Sequence, residues 1–542
     1  MTDPATQKKR MSHPSHSKEW ETESLRSETW LVACVALAMS LMALAYCFPR
    51  GMLLLYGDAV AHLHIARRVF DSLDPGYKQL GSVWLPLSHI LLIPFVQKMS
   101  WWQTGLAGAW PSMACYVLGC AGIYRLARIW LRPAAAWIAV AFFALNPGLL
   151  YMQTTAMTEP LFLAEMVWSV LLLAGYARAL KSSDAVRASR LLIGLGFVLA
   201  GAVYTRYDGW IFACIAWWIA LWNLRRHWSS RAGGAFILFT AILVTAPLLW
   251  MAYNARQFGD PLDFMRGPYS AKAIEERTAA PGAPHYPGWH SMRVAALYFL
   301  KAAELGAAPV RLANLMLWLS VAGTIAAFWK WRGQSITSAL LLWVPLPFYA
   351  YSIAYGSVPI FIPLWWPHSW YNTRYGMEML PAFALFPAFL VAWAARQWPR
   401  ARRWVIAVAL ALIVADSITL MRNRPIVLAE AIANSRTRIP YEESLAEALK
   451  SLPQQGMILM YTSEHIGALQ RAGIPLKRTI NETDYYQWPA ALQHPARAAS
   501  IVVATDHDAV AKAIAAHPEG LMLVDVVCST GQPCARIYLS KW

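Results

Sequence analysis

The chain has 542 residues, of which 58% are hydrophobic and only 14% charged, with a net charge of +17. A soluble chain carries roughly 25% charged residues, so an ordinary water-soluble globule is excluded, and a mean hydropathy of +0.37 points to a polytopic membrane protein. The basic excess does not point to nucleic acid, because it follows loop position along the chain, as shown below.

Residues 1–29 are polar and mixed in charge and read as a cytoplasmic N-terminal tail. The first apolar run, 30–48, is followed by no small-residue cleavage site, so it reads as an uncleaved anchor. Further apolar runs lie at 105–124, 134–151, 160–178, 190–204, 209–223, 233–253, 309–329, 335–355, 377–395 and 404–421. Each is near the length of a bilayer-crossing helix. The 28 Trp and 23 Tyr suit membrane interfaces.

Charge orients the spans. One set of loops holds Arg125, Arg128 and Arg132; Arg178, Lys181, Arg187 and Arg190; Arg225, Arg226 and Arg231; Lys330 and Arg332; and Arg396, Arg400, Arg402 and Arg403. The opposite short loops hold only Arg206 and Arg374. Lys and Arg in short loops stay cytoplasmic, which puts the amino terminus inside and everything after 421 outside. The segment "VWLPLSHILLIPFVQKM" (83–99) is apolar but short, and Pro86 and Pro94 interrupt it. It reads as a helix lying on or dipping into the outer face, since a true span here would move the Arg125–Arg132 cluster outside.

The expected fold class is therefore a polytopic α-helical membrane protein of about 11–13 transmembrane helices with a C-terminal extracytoplasmic α/β domain. The outer face carries loop 1 (49–104), turns at 152–159 and 204–208, a long loop at 254–308 and a loop at 356–376. The tail 422–542 alternates helical "YEESLAEALKSL" and "DAVAKAIAAH" with strand-like "MILMY", "SIVVAT" and "LMLVDVV". Cys528 and Cys534 flank a hairpin-like turn, where a disulfide suits an oxidising compartment. Cys34, Cys47, Cys115, Cys120 and Cys214 lie in apolar segments and read as small core residues.

The outer-face turns are rich in ionisable groups. "YGDAVAHLHIARRVFDSLDPG" (Tyr56 to Gly76) follows the first span, and a helix from Asp58 places Asp58 and His62 on one face. Asp58 also reads as an N-cap and the histidines as water-facing groups. "TTAMTEPLFL" puts Glu159 at a helix entrance, with Thr158 as cap and Pro160 in the first turn. "VYTRYDGWIF" supplies Arg206 and Asp208, and "WYNTRYGMEML" supplies Arg374 and Tyr375; singly these read as an Arg–Asp pair or as arginines reaching lipid head groups. Ionisable groups at membrane depth are costly, so their convergence from separate helices marks a site.

Glycosyl transfer from a lipid phosphate needs such a set. The donor cannot leave the bilayer, so the site lies at the interface. Its phosphate leaving group needs cations, best supplied by the forked guanidinium of Arg, rather than a general acid. The acceptor hydroxyl needs one carboxylate base. The long loop adds Arg266, Tyr269 and Lys272 near the entrance, as a lid would; Lys272 reads equally as a solvated charge. "PLWWPHSWYN" reads as an interface anchor or a sugar-stacking surface.

These motifs resemble the GT-C superfamily of membrane glycosyltransferases over roughly residues 30–420. The likeness is greatest to the protein O-mannosyltransferase-like group (glycosyltransferase family 39) and the lipid A aminoarabinose transferases. It rests on "YGDAVAH", "WLPLSHILLIPF", "TTAMTEP", "TRYDGW" and "RYGMEMLPAFALF" in that order. The resemblance implies transfer from a polyprenyl-phosphate sugar to an acceptor glycan, lipid or protein in the cytoplasmic membrane, with Asp58 as catalytic base and Glu159 as a second acid. It puts Arg206 on the donor phosphate and makes Arg374 the late-loop cation; His62, Asp208, Tyr269, Lys272 and Tyr375 complete the substrate-binding set. "GDAVAH" replaces a paired-acid first loop, which puts metal dependence in question; Asp58, His62 and Glu159 are the candidate ligands for a divalent ion. A transporter or flippase of a lipid-linked or anionic substrate would use the same arginines, but the charges sit on one side and no paired half-repeats appear. A ligand-sensing outer domain on a helical anchor would not need eleven spans.

Overall fold

The computed structural model describes residues 14–278, 282, 284–463 and 465–542; residues 1–13 of the expected N-terminal tail lie outside the described residues. Eight helices among the described residues are long and apolar enough to cross a membrane. The helices of the bundle are α1 (Pro14–Cys47), α2 (Gly57–Arg68), α3 (Pro86–Val96), α4 (Leu106–Arg128), α5 (Pro133–Ala144), α6 (Glu159–Lys181), α7 (Ala185–Thr205), α8 (Asp208–Arg226), α9 (Ser230–Phe258), α10 (Met292–Ala307), α11 (Ala313–Lys330), α12 (Pro345–Tyr355), α13 (Leu380–Gln397) and α14 (Arg402–Arg422). α6 packs between α4 and α7, α7 against α9, α1 against α4, and α11 against α13. α9 and α14 turn Ile237, Leu249, Trp404 and Leu412 outward, an apolar surface suited to lipid rather than water.

Several expectations are corrected in detail. The run at 134–151 is no single span: α5 stops at Ala144, and a short helix, Pro147–Met152, restarts after it. Asn146 caps the restart by accepting from the Leu149 amide at 3.0 Å, and Pro147 at its first position ends the preceding hydrogen-bond ladder. α3 has 11 residues, about 16 Å at 1.5 Å per residue, half the ~30 Å hydrocarbon core. Here the expectation is not corrected: the helix is too short to span, as the sequence suggested, and it packs against α2 and α4. Cys47, Cys115 and Cys120 are buried, but Cys34 and Cys214 face outward on their helices, so these two are not core residues. The long loop contains α10, whose Ala295, Phe299, Ala302 and Ala303 are buried.

After α14 the chain forms α15 (Ile426–Ser435) and α16 (Arg438–Ser451), then a five-stranded sheet. Its strands are β1 (Ile458–Met460), β2 (Thr479–Ile480), β3 (Ile501–Thr505), β4 (Leu521–Val527) and β5 (Ala535–Ser540), in the order β2-β1-β3-β5-β4. The first three strands are parallel and β5 is antiparallel to β3 and β4. β3 is apolar and wholly buried, as a central strand covered on both faces should be. Cys528 and Cys534 are disulfide-bonded across the β4–β5 turn.

Candidate active site

Four ionisable groups occupy helix ends that their charge favours. Asp58 lies in the first turn of α2, and Glu159 and Asp208 open α6 and α8. Arg206 stands just beyond the C-terminus of α7. Helix N-termini favour anions and C-termini cations by ~0.3–1 kcal/mol each. The α7–α8 turn is tight enough that a side chain at Gly209 would collide with the Ala202 carbonyl. Arg374 and Tyr375 sit in a 3₁₀ stretch, Thr373–Met379. It lies directly on α10 because Gly376 presents no side chain to the Ala302–Ala303 backbone.

These elements bring two arginines into one buried ionic cluster. Arg206 reaches Asp208 at 3.2 Å, Glu378 at 3.1 Å and Glu159 at 3.5 Å. It also donates to Thr158 Oγ1 (3.0 Å) and to the Tyr349 hydroxyl (2.7 Å). Arg374 places Nη2 2.5 Å from Asp58 Oδ2, Nη1 3.2 Å from Glu430 Oε1 and Nε 3.3 Å from Glu159 Oε1. One oxygen of Glu159 thus faces both guanidiniums. The Tyr375 ring lies between them, 5.0 Å from the Arg206 carbon and 4.9 Å from that of Arg374, and stacks on Tyr349. The Tyr349 hydroxyl in turn lies within hydrogen-bond distance of Asp208 (3.0 Å) and Glu378 (2.7 Å), with its one proton to give to either.

Burial separates the carboxylates by task. The Glu159, Glu378 and Glu430 side chains are at most 1% exposed, whereas Asp58 is 39% exposed. Asp208 gives its second oxygen to the Gly209 amide, so it orients Arg206 and is committed on both sides. Among the cluster's carboxylates Asp58 is the one that reaches solvent. It does not cap α2, whose N-cap is Tyr56, and Thr158 makes no capping bond to α6.

Six of the residues expected to form the site therefore meet: Asp58, Glu159, Arg206, Asp208, Arg374 and Tyr375. His62 sits beside them but turns Nδ1 to His89 Nε2 at 2.8 Å and packs on Trp84. Burial pushes the His62 imidazole down to about 4, against a smaller upward pull from Asp58 and helped by Arg374 and Arg206; it is neutral at pH 7. Two expected residues stand apart. Lys272 is exposed and pairs with Glu276 at 4.0 Å, and Tyr269 lies beside Tyr461 of the C-terminal domain. Arg266 is likewise exposed, 3.7 Å from Asp260.

The structure adds Glu378, Glu430 and Tyr349. Glu378 and Glu430 are lone acids within the apolar strings "GMEML" and "VLAEAIA", a pattern whose cost signals a role. Tyr349 carries no such signal. The candidate metal set does not form: among the described residues no three His, Cys, Asp or Glu side chains are placed to hold an ion. Arg374 stands between Asp58 and Glu159, and His62 faces His89. These residues do not fit a metal as arranged.

Nearly the whole chain superposes on the structure of ArnT from Cupriavidus metallidurans, solved bound to undecaprenyl phosphate and in the apo state. Each comparison covers 94% of this chain and 97% of that one, with a TM-score of 0.57 at 12% identity. The Archaeoglobus fulgidus oligosaccharyltransferase in complex with Zn and sulfate is matched over 88% of this chain and 68% of that one, with a TM-score of 0.46 at 13% identity. The chain is an integral, multi-pass membrane protein with the GT-C fold, as the sequence resemblance implied. Within that fold, residues 86–250 match the family described as dolichyl-phosphate-mannose-protein mannosyltransferase. No curated protein matches the chain.

Proposed function

We propose that the chain is a glycosyltransferase that moves a sugar from a polyprenyl-phosphate donor to an acceptor hydroxyl at the extracytoplasmic face of the cytoplasmic membrane, with inversion at the sugar carbon. The observation that supports it best is the pair of guanidiniums held within one buried cluster, with Asp58 as its single solvent-facing carboxylate. Arg374 and Arg206 are forked donors matched to phosphate oxygens. They stabilise the charge that grows on the phosphate as the sugar–oxygen bond breaks. Asp58 takes the acceptor's proton as its oxygen attacks the sugar carbon from the opposite side. Its Oδ1 accepts no hydrogen bond from the described residues and is the oxygen free for that role. Glu159, Asp208, Glu378 and Tyr349 hold the arginines in register, and neutral His62 shapes the wall behind Asp58. The ligand of one structure of the same fold supports a lipid-phosphate donor: the ArnT structure holds undecaprenyl phosphate.

The test is to incubate the purified full-length protein with a panel of polyprenyl-phosphate sugars and an envelope-derived acceptor fraction. Loss of one donor and release of polyprenyl phosphate is expected. Folded protein that consumes none, while moving labelled lipid between leaflets, would favour the transporter reading instead.

A further inference from the structure

The segment that follows the last membrane helix reaches back into the ionic cluster. Glu430, on α15, is fully buried. One of its oxygens meets Arg374 Nη1 at 3.2 Å. The other accepts from the Thr373 amide at 2.8 Å and from the Thr373 hydroxyl. The same carboxylate therefore ties down both the guanidinium and the backbone that carries it. Two neighbouring contacts fix the opposite partner. The Tyr56 hydroxyl donates to the Val427 carbonyl at 2.7 Å. Arg438, at the start of α16, donates to the carbonyls of Leu54 and Leu55 at 2.9 and 3.0 Å. Those residues lead directly into Gly57 and Asp58. Arg438 is itself held by both oxygens of Glu442. Residues 427–442 thus clamp both ends of the Asp58–Arg374 contact.

We infer that Glu430 is the positioning residue of Arg374, and that through it the start of the C-terminal domain sets the phosphate-binding geometry. The inference rests on the proposed phosphate role of Arg374. A buried carboxylate beside a phosphate site is unfavourable for holding an anion in the ground state. Its presence is explained if alignment of the guanidinium in the transition state matters more. The two effects separate kinetically. Removing the charge of Glu430 takes away one repelling anion, so donor KM should stay level or fall. It also frees Arg374 to rotate toward Asp58 and Glu159, so kcat should drop. A residue that only supported the fold would lower active protein without this split.

The experiment uses full-length protein and an undecaprenyl-phosphate-sugar panel, with binding of undecaprenyl phosphate measured alongside. Glu430→Gln is expected to lower kcat at least tenfold without raising donor KM. In an Arg374→Ala background the same change should cost less than threefold, because the group it acts through is gone. Thr373→Val, which removes one donor to the carboxylate, should show a smaller loss with the same dependence on Arg374, and it reads the proposal if Glu430→Gln fails to fold. A kcat within threefold of wild type, or equal losses in both backgrounds, overturns the assignment. Wild-type protein that consumes no donor and binds no undecaprenyl phosphate instead overturns the function, and this inference with it.

Discussion

Asp58→Asn tests the centre of the proposed chemistry. Asn fills the same volume in the first turn of α2, where Asp58 makes no capping bond. The fold should barely notice: the lost Arg374 contact involves a half-exposed carboxylate, and such pairs contribute ~0–1 kcal/mol. Arg374 keeps Glu430 and Glu159 as partners. Two opposite effects then reach the donor. Arg374 Nη2 loses its anionic competitor, so a lipid phosphate should bind as tightly as to wild type or more so. The acceptor loses its base, which lowers turnover by ~10²–10⁴-fold. The signature is a stable protein with donor affinity held or improved and transfer nearly abolished. Melting temperature, undecaprenyl-phosphate binding and single-turnover transfer measure the three parts. Transfer within threefold of wild type in normally folded protein would refute Asp58 as the base.

Arg206→Ala should cost ~3–5 kcal/mol, because removing one partner leaves buried charge uncompensated, here on Glu159, Asp208 and Glu378; unchanged thermal unfolding would show that the cluster is not what holds this region. Arg206→Lys keeps the charge but loses the fork, and turnover should fall tenfold or more with the fold retained. His62, pushed down to about 4 from 6.5, binds fewer protons folded than unfolded, so its contribution is intact above pH 6.5. About 3 kcal/mol is lost as pH falls from 6.5 to 4, and His62→Gln should flatten that part of the unfolding profile; identical profiles would count against the buried neutral imidazole. Residues after 421 are expected to face the periplasm, and a C-terminal reporter active only in the cytoplasm would reverse the topology and the proposed side of the reaction.

Most of this cluster is legible locally. Glu159, Arg206 and Asp208 announce themselves because a charge at the end of an apolar run coincides with a helix terminus of suitable dipole. The break at Asn146–Pro147 is equally local, yet the apolar run around it hides it from hydropathy alone. Pairings across the chain are another matter. Asp58 and Arg374 are 316 residues apart, as are no two groups in any local motif. That the guanidinium would stand between Asp58 and Glu159, and so displace the candidate metal set, depends on how the Thr373–Met379 stretch sits on α10. Tyr269 and Lys272 are the right residue types in a loop of the right length, but loop length alone does not say which partner each side chain meets: Tyr269 lies beside Tyr461 and Lys272 pairs with Glu276, both away from the ionic cluster.

On the proposed function, the burial of Arg374's partners decides what an arriving phosphate displaces. Three carboxylates share this guanidinium. Glu159 and Glu430 have no water to receive them, and stripping a buried carboxylate of its cation leaves an uncompensated charge. Asp58 is exposed enough to be hydrated when released. The lipid phosphate therefore exchanges with Asp58 at Nη2 and leaves the buried pairs intact. The exchange has a geometric consequence: it frees Asp58 Oδ2 from its contact with Arg374, so that both oxygens of the carboxylate face the acceptor side. Donor binding and release of the acceptor's base are then one event at one arginine.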